Sequence, residues 1–352
     1  MVKQTSIASR RPRAASGTVT RRLVFVTQKA DPLDPVLGAT VPKIRALAEH
    51  VDELIVLAAS SVPGALPPNC RVFHFGAGTK AFRGVRYETA LARSLRPRPF
   101  ALVAHMCPIY AVLAAPVLRP LRIPIVLWYV HHAVKPTLRV ATKLATRIVS
   151  VDRSSFPIDT PKLAPIGHGI DVHSLTCAPS RRNGPLRLLA LGRYSRVKRL
   201  EIVLDAMARA SAPVMLEAYG PDGHPGYREE LVAKAAALGI EARFGGPVPF
   251  ADVPRIYAEH DVLVSNTRGG ADKVVLEAAA SCRPALASSP ALAAVVDDLA
   301  YDGPDQLAQR LERLAALSPE ELSELGKSLR ERVEQSHSVD SWAEAMIRLA
   351  EQ

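Results

Sequence analysis

The stretch LRLLALGRYSRVKR, residues 186–199, contains the unit from which the fold is read. A Leu-rich run, LRLLAL, stops at Gly192, and a turn dense in cations, Arg193 to Arg199, leads into a segment of helical period over 198–210. A short, almost continuous apolar run ended by glycine reads as a strand covered on both faces, the sign of a parallel sheet. Parallel strands need crossover connections, and a helix directly after the turn supplies one.

The same alternation extends outward in both directions. Downstream, VMLEAY (214–219), EARFGG (241–246), DVLVS (261–265) and PALAS (284–288) read as strands, separated by helical segments over 226–238, 251–259 and 274–282. Three further helices are expected near 304–316, 319–334 and 340–350. Upstream, LVFVT (23–27), ELIVLAA (53–59), RVFHF (71–75), FALVAH (100–105), IPIVLWYV (123–130), RIVSV (147–151) and KLAPIG (162–167) are strand-like, with helices at 44–51, 87–95, 109–118 and 137–146. HSLTCAPSRRNGP, residues 173–185, has no period and is punctuated by Pro and Gly, which marks a linker. The expected architecture is α/β, with two doubly wound, Rossmann-like domains at 22–172 and 186–335. No fixed-period repeat is visible, so a solenoid is excluded.

A chain of 352 residues is long enough for two such domains, and 48% hydrophobic with 22% charged residues excludes disorder throughout. The excess of 45 Lys and Arg over 34 Asp and Glu gives +11, but Lys3, Arg10, Arg11, Arg13, Arg21 and Arg22 precede the first apolar run. Residues 1–21 therefore read as a disordered basic tail without the apolar stretch of a secretory signal. Its charge would attract anionic lipid head groups or nucleic acid alike, and no specific nucleic-acid partner is expected. The 4 cysteines, Cys70, Cys107, Cys177 and Cys282, are far apart, which argues against a disulfide framework or zinc site and for a reducing cytoplasm. Residues 100–118 are uncharged, but Pro108 stands where a strand would hand over to a helix, so they read as strand, turn and helix rather than a bilayer span.

Ligands of open parallel sheets bind beyond the carboxyl ends of the strands, so the residues there carry the chemistry. Arg193 and Lys198 flank the turn after LRLLAL, where a guanidinium and an ammonium can clamp a diphosphate and stabilise it as a leaving group. In NTRGGADKVVLEAAASCRPALAS (266–288), Gly269 and Gly270 with Ala271 and Asp272 precede a helix start, a place that offers N–H groups to phosphate. Glu277, one turn inside, is placed to accept hydrogen bonds from vicinal hydroxyls such as those of a ribose. Its plain alternative is an exposed helix residue.

Taken together, Gly192-Arg193 with Lys198, Tyr-Gly-Pro at 219–221, Phe-Gly-Gly at 244–246 and LEAAASCRPALAS resemble family 4 glycosyltransferases of the GT-B fold. The resemblance runs from about Val24 to the C-terminus and is most specific between Arg187 and Ser288. It implies two domains facing across a cleft, a nucleotide diphosphate sugar as donor substrate, no separate cofactor, and a retaining, front-face transfer to a hydroxyl acceptor. It also implies that residues 336–352 form a helix packing back on the N-terminal domain.

By the same resemblance Arg193 and Lys198 match the donor-phosphate pair, Gly192 supports them, and Glu277 matches the ribose-binding glutamate. Gly246 and Val248 would lie beside the base. The family usually carries another glutamate within Glu-Gly-Phe-Gly, where this chain has Gly269. Gly270, Ala271, Asp272 and Lys273 would then hold the donor sugar differently. His131, in LWYVHH (127–132), matches the histidine presented near the reacting carbon, with His132 as second choice. His105 ends a strand facing the cleft, and Gly38, in QKADPLDPVLGA (28–39), is a close-approach position over the donor phosphate. His168, in IGHGID (166–171), reads as part of a hinge.

No Asp-x-Asp and no His or Cys cluster of metal spacing occurs, so metal-independent transfer is expected. The acceptor is expected to be a glycan or lipid-linked hydroxyl compound in cell-envelope, polysaccharide or glycolipid synthesis, with peripheral association at an anionic membrane. Two alternatives stand beside it: a nucleotide-sugar-binding protein that has lost catalysis, motivated by Gly269, and a GT-B epimerase.

Overall fold

The computed structural model describes residues 20–34, 37–131, 133–180, 182–267 and 269–352. The first sheet is built from β1 (Arg22–Ala30), β2 (Glu53–Ser61), β3 (Cys70–His74), β4 (Ala101–His105), β5 (Ile125–Trp128), β6 (Arg147–Ser150) and β7 (Leu163–Pro165). Its helices are α1 (Thr40–Glu49), α2 (Lys80–Ser94), α3 (Pro108–Leu118) and α4 (Pro136–Leu144). The second sheet comprises β8 (Leu186–Leu191), β9 (Val214–Tyr219), β10 (Ala242–Gly245), β11 (Val262–Ser265) and β12 (Ala285–Ala287). Its helices are α5 (Leu200–Arg209), α6 (Tyr227–Ala237), α7 (Val253–Glu259), α8 (Lys273–Ala280), α9 (Ala293–Val296), α10 (Gly303–Ala316) and α11 (Pro319–His337), and α12 (Val339–Ala350) ends the chain. Strand order is β3-β2-β1-β4-β5-β6-β7 in the first sheet and β10-β9-β8-β11-β12 in the second. Every ladder is parallel.

Alternation along the strands sorts the first core onto two faces. Val24, Val26, Ile55, Leu57, Leu102 and Leu127 meet Tyr87, Tyr110 and Leu138 from α2, α3 and α4. Leu23, Phe25, Val56, Val103 and Trp128 meet Ile44 and Leu47 of α1 together with Trp342 of α12, and this cluster runs on into the second domain. Helix α12 buries Val339, Trp342, Ala343, Met346, Ile347 and Ala350, an apolar stripe at helical spacing. The Trp342 ring lies edge-on to Trp128 at 5.4 Å.

The chain passes between the domains twice. On the way out, Ile170 donates its N–H to His337 O at 2.7 Å, and on the return Val339 donates to Ile170 O at 2.8 Å. Gly167 has a left-handed φ of 75°. A Cβ there would fall 1.9 Å from Ser336 O, so only glycine lets the two passages lie this close.

Three features differ from the sequence reading. Cys177 and Cys282 are joined in a disulfide with their Cα atoms 5.0 Å apart, although 105 residues separate them in sequence. Spacing carries no pattern for such a pair, because only the fold brings the linker to the end of α8. Arg21, assigned to the tail, belongs to the folded body: it donates to His50 O at 2.8 Å and pairs with Glu351, next to Arg22, the first residue of the expected domain, which is buried in β1 and bonded to Glu53 at 2.6 Å. The rest of the basic tail up to residue 19, and His132, lie outside the described residues. Helix α2 starts at Lys80, ahead of the expected 87–95, capped by Thr79 Oγ1, which accepts from Phe82 N–H at 3.3 Å. Among the described residues no helix is long and apolar enough to cross a membrane.

Candidate active site

At the end of β8 the backbone turns at Gly192, whose φ of 135° is open to glycine and strained for any other residue. A Cβ at that position would stand 3.0 Å from Lys198 Cε, so the lysine stem lies directly across the glycine. Lys198 closes a 3-10 turn, Arg196–Lys198, and Arg199 follows with a left-handed φ of 46° to start α5. Asn266 fastens this turn by donating to Arg199 O at 3.1 Å. Arg193 is exposed beside it and has no ion pair or side-chain hydrogen bond among the described residues.

Lys198 Nζ is 2.6 Å from Asp272 Oδ2. The same carboxylate oxygen accepts from Ser265 Oγ at 2.7 Å and Thr267 Oγ1 at 3.2 Å. Asp272 occupies the N-cap position of α8 but does not cap it, its side chain being turned to Lys198 instead. The first-turn N–H groups of α8 thus lack the usual side-chain acceptor, and the preceding Gly269 and Gly270 carry φ of 81° and 71°. Ala271 is buried, and Gly270 O accepts from Ser289 Oγ at 2.7 Å. A loop fixed in this way next to a helix N-terminus is suited to an anion.

One turn on, Glu277 is 9% exposed and pairs with Lys273 at 2.5 Å, while Tyr257 Oη donates to it at 3.3 Å. Burial and the adjacent carboxylate hold the Tyr257 phenol well above its ordinary value, which keeps it a donor. Glu277 and Lys273 line a cavity of about 250 Å³ whose opposite wall is Ala39 and Pro42 of the first domain, with Gly169 and Asp171 of the passage between domains. Gly246, after β10, accepts from Gly220 N–H at 3.1 Å, and Val248 packs partly buried beyond it.

The first-domain candidates are placed differently. Gly38 lies in the turn before α1 and donates its N–H to Asp34 O at 2.9 Å. His131 is exposed after β5, and its Nδ1 accepts from Ala133 N–H at 2.8 Å. It lines a separate cavity from that of Glu277. His105 does end β4, but it is buried, with Phe25 at 5.4 Å on one side and Trp128 stacked at 6.4 Å on the other. Burial and the charge of Lys43 pull it well below its ordinary value. It faces the α1 and α12 side of the sheet and lines neither cavity.

Sequence reading passed over Lys43. This α1 residue is 4% exposed, with its ammonium 4.9 Å from the Trp128 ring and 5.3 Å from the Trp342 ring. Burial, reinforced by Lys273, pulls it down to about 7. His168 beside it is held well below its ordinary value by burial, Lys43, Lys273 and His337. A lysine in a helix ordinarily reads as solvated, and only α12, remote in sequence, covers this one. Among the described residues no three His, Cys, Asp or Glu side chains gather to hold a metal ion.

Comparison with solved structures decides the architecture. HepE from Anabaena, solved with UDP and glucose, superposes with TM-score 0.69 at 16% identity, covering 93% of this chain and 98% of that one. Sucrose-phosphate synthase from Thermosynechococcus elongatus gives 0.69 at 17% identity over 94% and 98%. WaaG, a glycosyltransferase involved in lipopolysaccharide biosynthesis, gives 0.62 at 15% identity over 93% and 99%. The fold is GT-B. Residues 185–316 of the second GT-B domain match the model of the family described as glycosyl transferases group 1. The search of curated proteins gave no match. In this GT-B chain the turn after β8, the start of α8 and Glu277 belong to the second domain, and the cavity beside Glu277 is shared with the first.

Proposed function

We propose that the chain is a metal-independent, retaining glycosyltransferase that moves a sugar from a nucleoside diphosphate sugar to a hydroxyl acceptor. The observation that carries the reading is Lys198, laid across Gly192 and aimed at the uncapped start of α8, with Glu277 a turn further in at the interdomain cavity. The group 1 match over 185–316 supports the transfer chemistry, and the UDP and glucose bound to HepE support a nucleotide-sugar donor.

As the glycosidic bond breaks, negative charge builds on the departing diphosphate. Arg193, Lys198 and the α8 N-terminus meet it with two formal cations and a fixed dipole, which act most strongly once closure of the domains excludes water. Asp272 orients the ammonium before donor arrives, and the phosphate shares it afterwards. Glu277 takes the ribose hydroxyls, and His131 lies on the acceptor side. Retention follows the family 4 resemblance, with the leaving phosphate helping to deprotonate the acceptor. The first domain receives a glycan or lipid-linked acceptor, at an anionic membrane surface in the second case.

Nucleotide release from UDP-, GDP- and ADP-sugars tests this reading. Turnover of one donor in EDTA is expected, with a loss of about 10²-fold in Arg193→Ala and Glu277→Ala. Rates unchanged by either substitution would remove the site assignment. Nucleotide binding without turnover of any donor would instead mean a binding protein, and activity restored only by manganese would overturn metal independence.

A further inference from the structure

A cavity of the first domain, about 460 Å³, lies at the carboxyl ends of β1, β4 and β5, where Gln28, Met106 and Tyr129 form part of its lining. Its rim is made by the starts of three helices: Lys80 and Arg83 from α2, Pro108 and Tyr110 from α3, and Lys135 and Thr137 at α4. None of the three has an acidic residue in its first turn, and neither α3 nor α4 has a side-chain cap. Three helix dipoles therefore present their positive ends to one space. Lys80, Arg83 and Lys135 add three formal charges, and no Asp or Glu lines the cavity among the described residues.

The cations there are not consumed by internal pairing. Lys80 and Lys135 form no ion pair among the described residues. Arg83 donates Nη2 to Ala77 O at 3.2 Å and interacts with the Tyr110 hydroxyl, a neutral group, so its charge meets no carboxylate there among the described residues. A guanidinium and two ammonium groups lining one cavity suit the several oxygens and double charge of a phosphate monoester better than a neutral hydroxyl. Between the cations the lining turns apolar at Ile109, Leu113 and Leu138, which suits a carbon skeleton attached to the phosphate.

We propose that this cavity binds the acceptor through a phosphate group, so that the hydroxyl to be glycosylated belongs to a phosphorylated compound. That the anion is the acceptor rests on the transfer reading above. That an anion binds there rests on the cavity alone.

The test uses the full chain saturated with whichever nucleoside diphosphate it binds, so that the donor-phosphate site is filled, and titrates it calorimetrically with glycerol 3-phosphate and with glycerol. Glycerol 3-phosphate should bind and glycerol should not, and Arg83→Ala and Lys135→Ala should each weaken it at least tenfold while nucleotide affinity stays within twofold. Lys135 is exposed, so its variant folds whatever Arg83→Ala does. Sedimentation with phosphatidylglycerol vesicles forms the second arm. Vesicle binding lost in the Lys80→Glu, Lys135→Glu double variant assigns the phosphate to a lipid headgroup, and binding of glycerol 3-phosphate alone assigns it to a soluble ester. Equal binding of glycerol, indifference to both substitutions, or loss of all phosphate binding on adding nucleotide would overturn the proposal. Failure of the nucleotide itself to bind would count against the transfer reading and leave the phosphate titration to be read without it.

Discussion

Lys43 shows how far one side chain can depart from its local sequence. In the folded chain it is neutral above about pH 7, whereas in the unfolded chain it holds its proton up to its ordinary value of 10.5. Between those limits the unfolded state binds the extra proton, so folding becomes more favourable as the pH rises. We expect the unfolding free energy to climb from pH 7 to pH 10 with a contribution approaching about 1.4 kcal/mol per pH unit. Urea melts of Lys43→Met should lack that contribution, and parallel pH profiles for the two proteins would refute it. Gly192, Lys198 and Glu277 are the opposite case. Their positions just after a strand and just inside a helix fix their surroundings locally, so they were legible as candidates before any coordinates. His105 was read from the same strand-end logic, yet the pleat turns it to the α1 face, and parity along a strand cannot say which face a ligand occupies.

At the scale of elements, strands and helices emerged from the sequence wherever an apolar run met a sharp breaker. The start of α2 was hidden because Gly84 and the exposed Phe82 and Val85 blur the helical period. The start of α8 was read as a candidate for an anion, but its geometry was not legible: a carboxylate that declines to cap its own helix and holds Lys198 instead depends on Ser265 and Thr267 folding beneath it. Asp272→Asn should therefore bind nucleoside diphosphate more tightly, having lost a competing negative charge. It should also turn over at least tenfold more slowly, because the ammonium is no longer aimed. Calorimetry and nucleotide release measure the two effects separately, and weaker binding with unchanged turnover would contradict this account.

For the whole molecule, the two-domain plan was legible because two series of strand and helix are separated by a stretch of linker composition. The disulfide was not, since it ties that linker to the residue just past α8 across 105 positions. Closing a loop of about 100 residues removes roughly 4.7 kcal/mol of unfolded-state freedom in the chain-entropy picture. Reduction should lower the melting temperature, and Cys177→Ser should reproduce the loss and no longer respond to dithiothreitol. A reductant effect that persisted in Cys177→Ser would place its origin elsewhere.

The paired passages at Ile170 and Ser338 give the halves two pins side by side on a single axle. Corkscrew rotation of one half against the other would have to tear the short ladder between the pins, so bending about the axle is the motion that leaves this pairing intact. Any opening of the cavity shared by the two halves is thereby confined to one direction of travel, and a single backbone cut within 182–184 would leave both halves attached through the second passage and the Cys177–Cys282 disulfide.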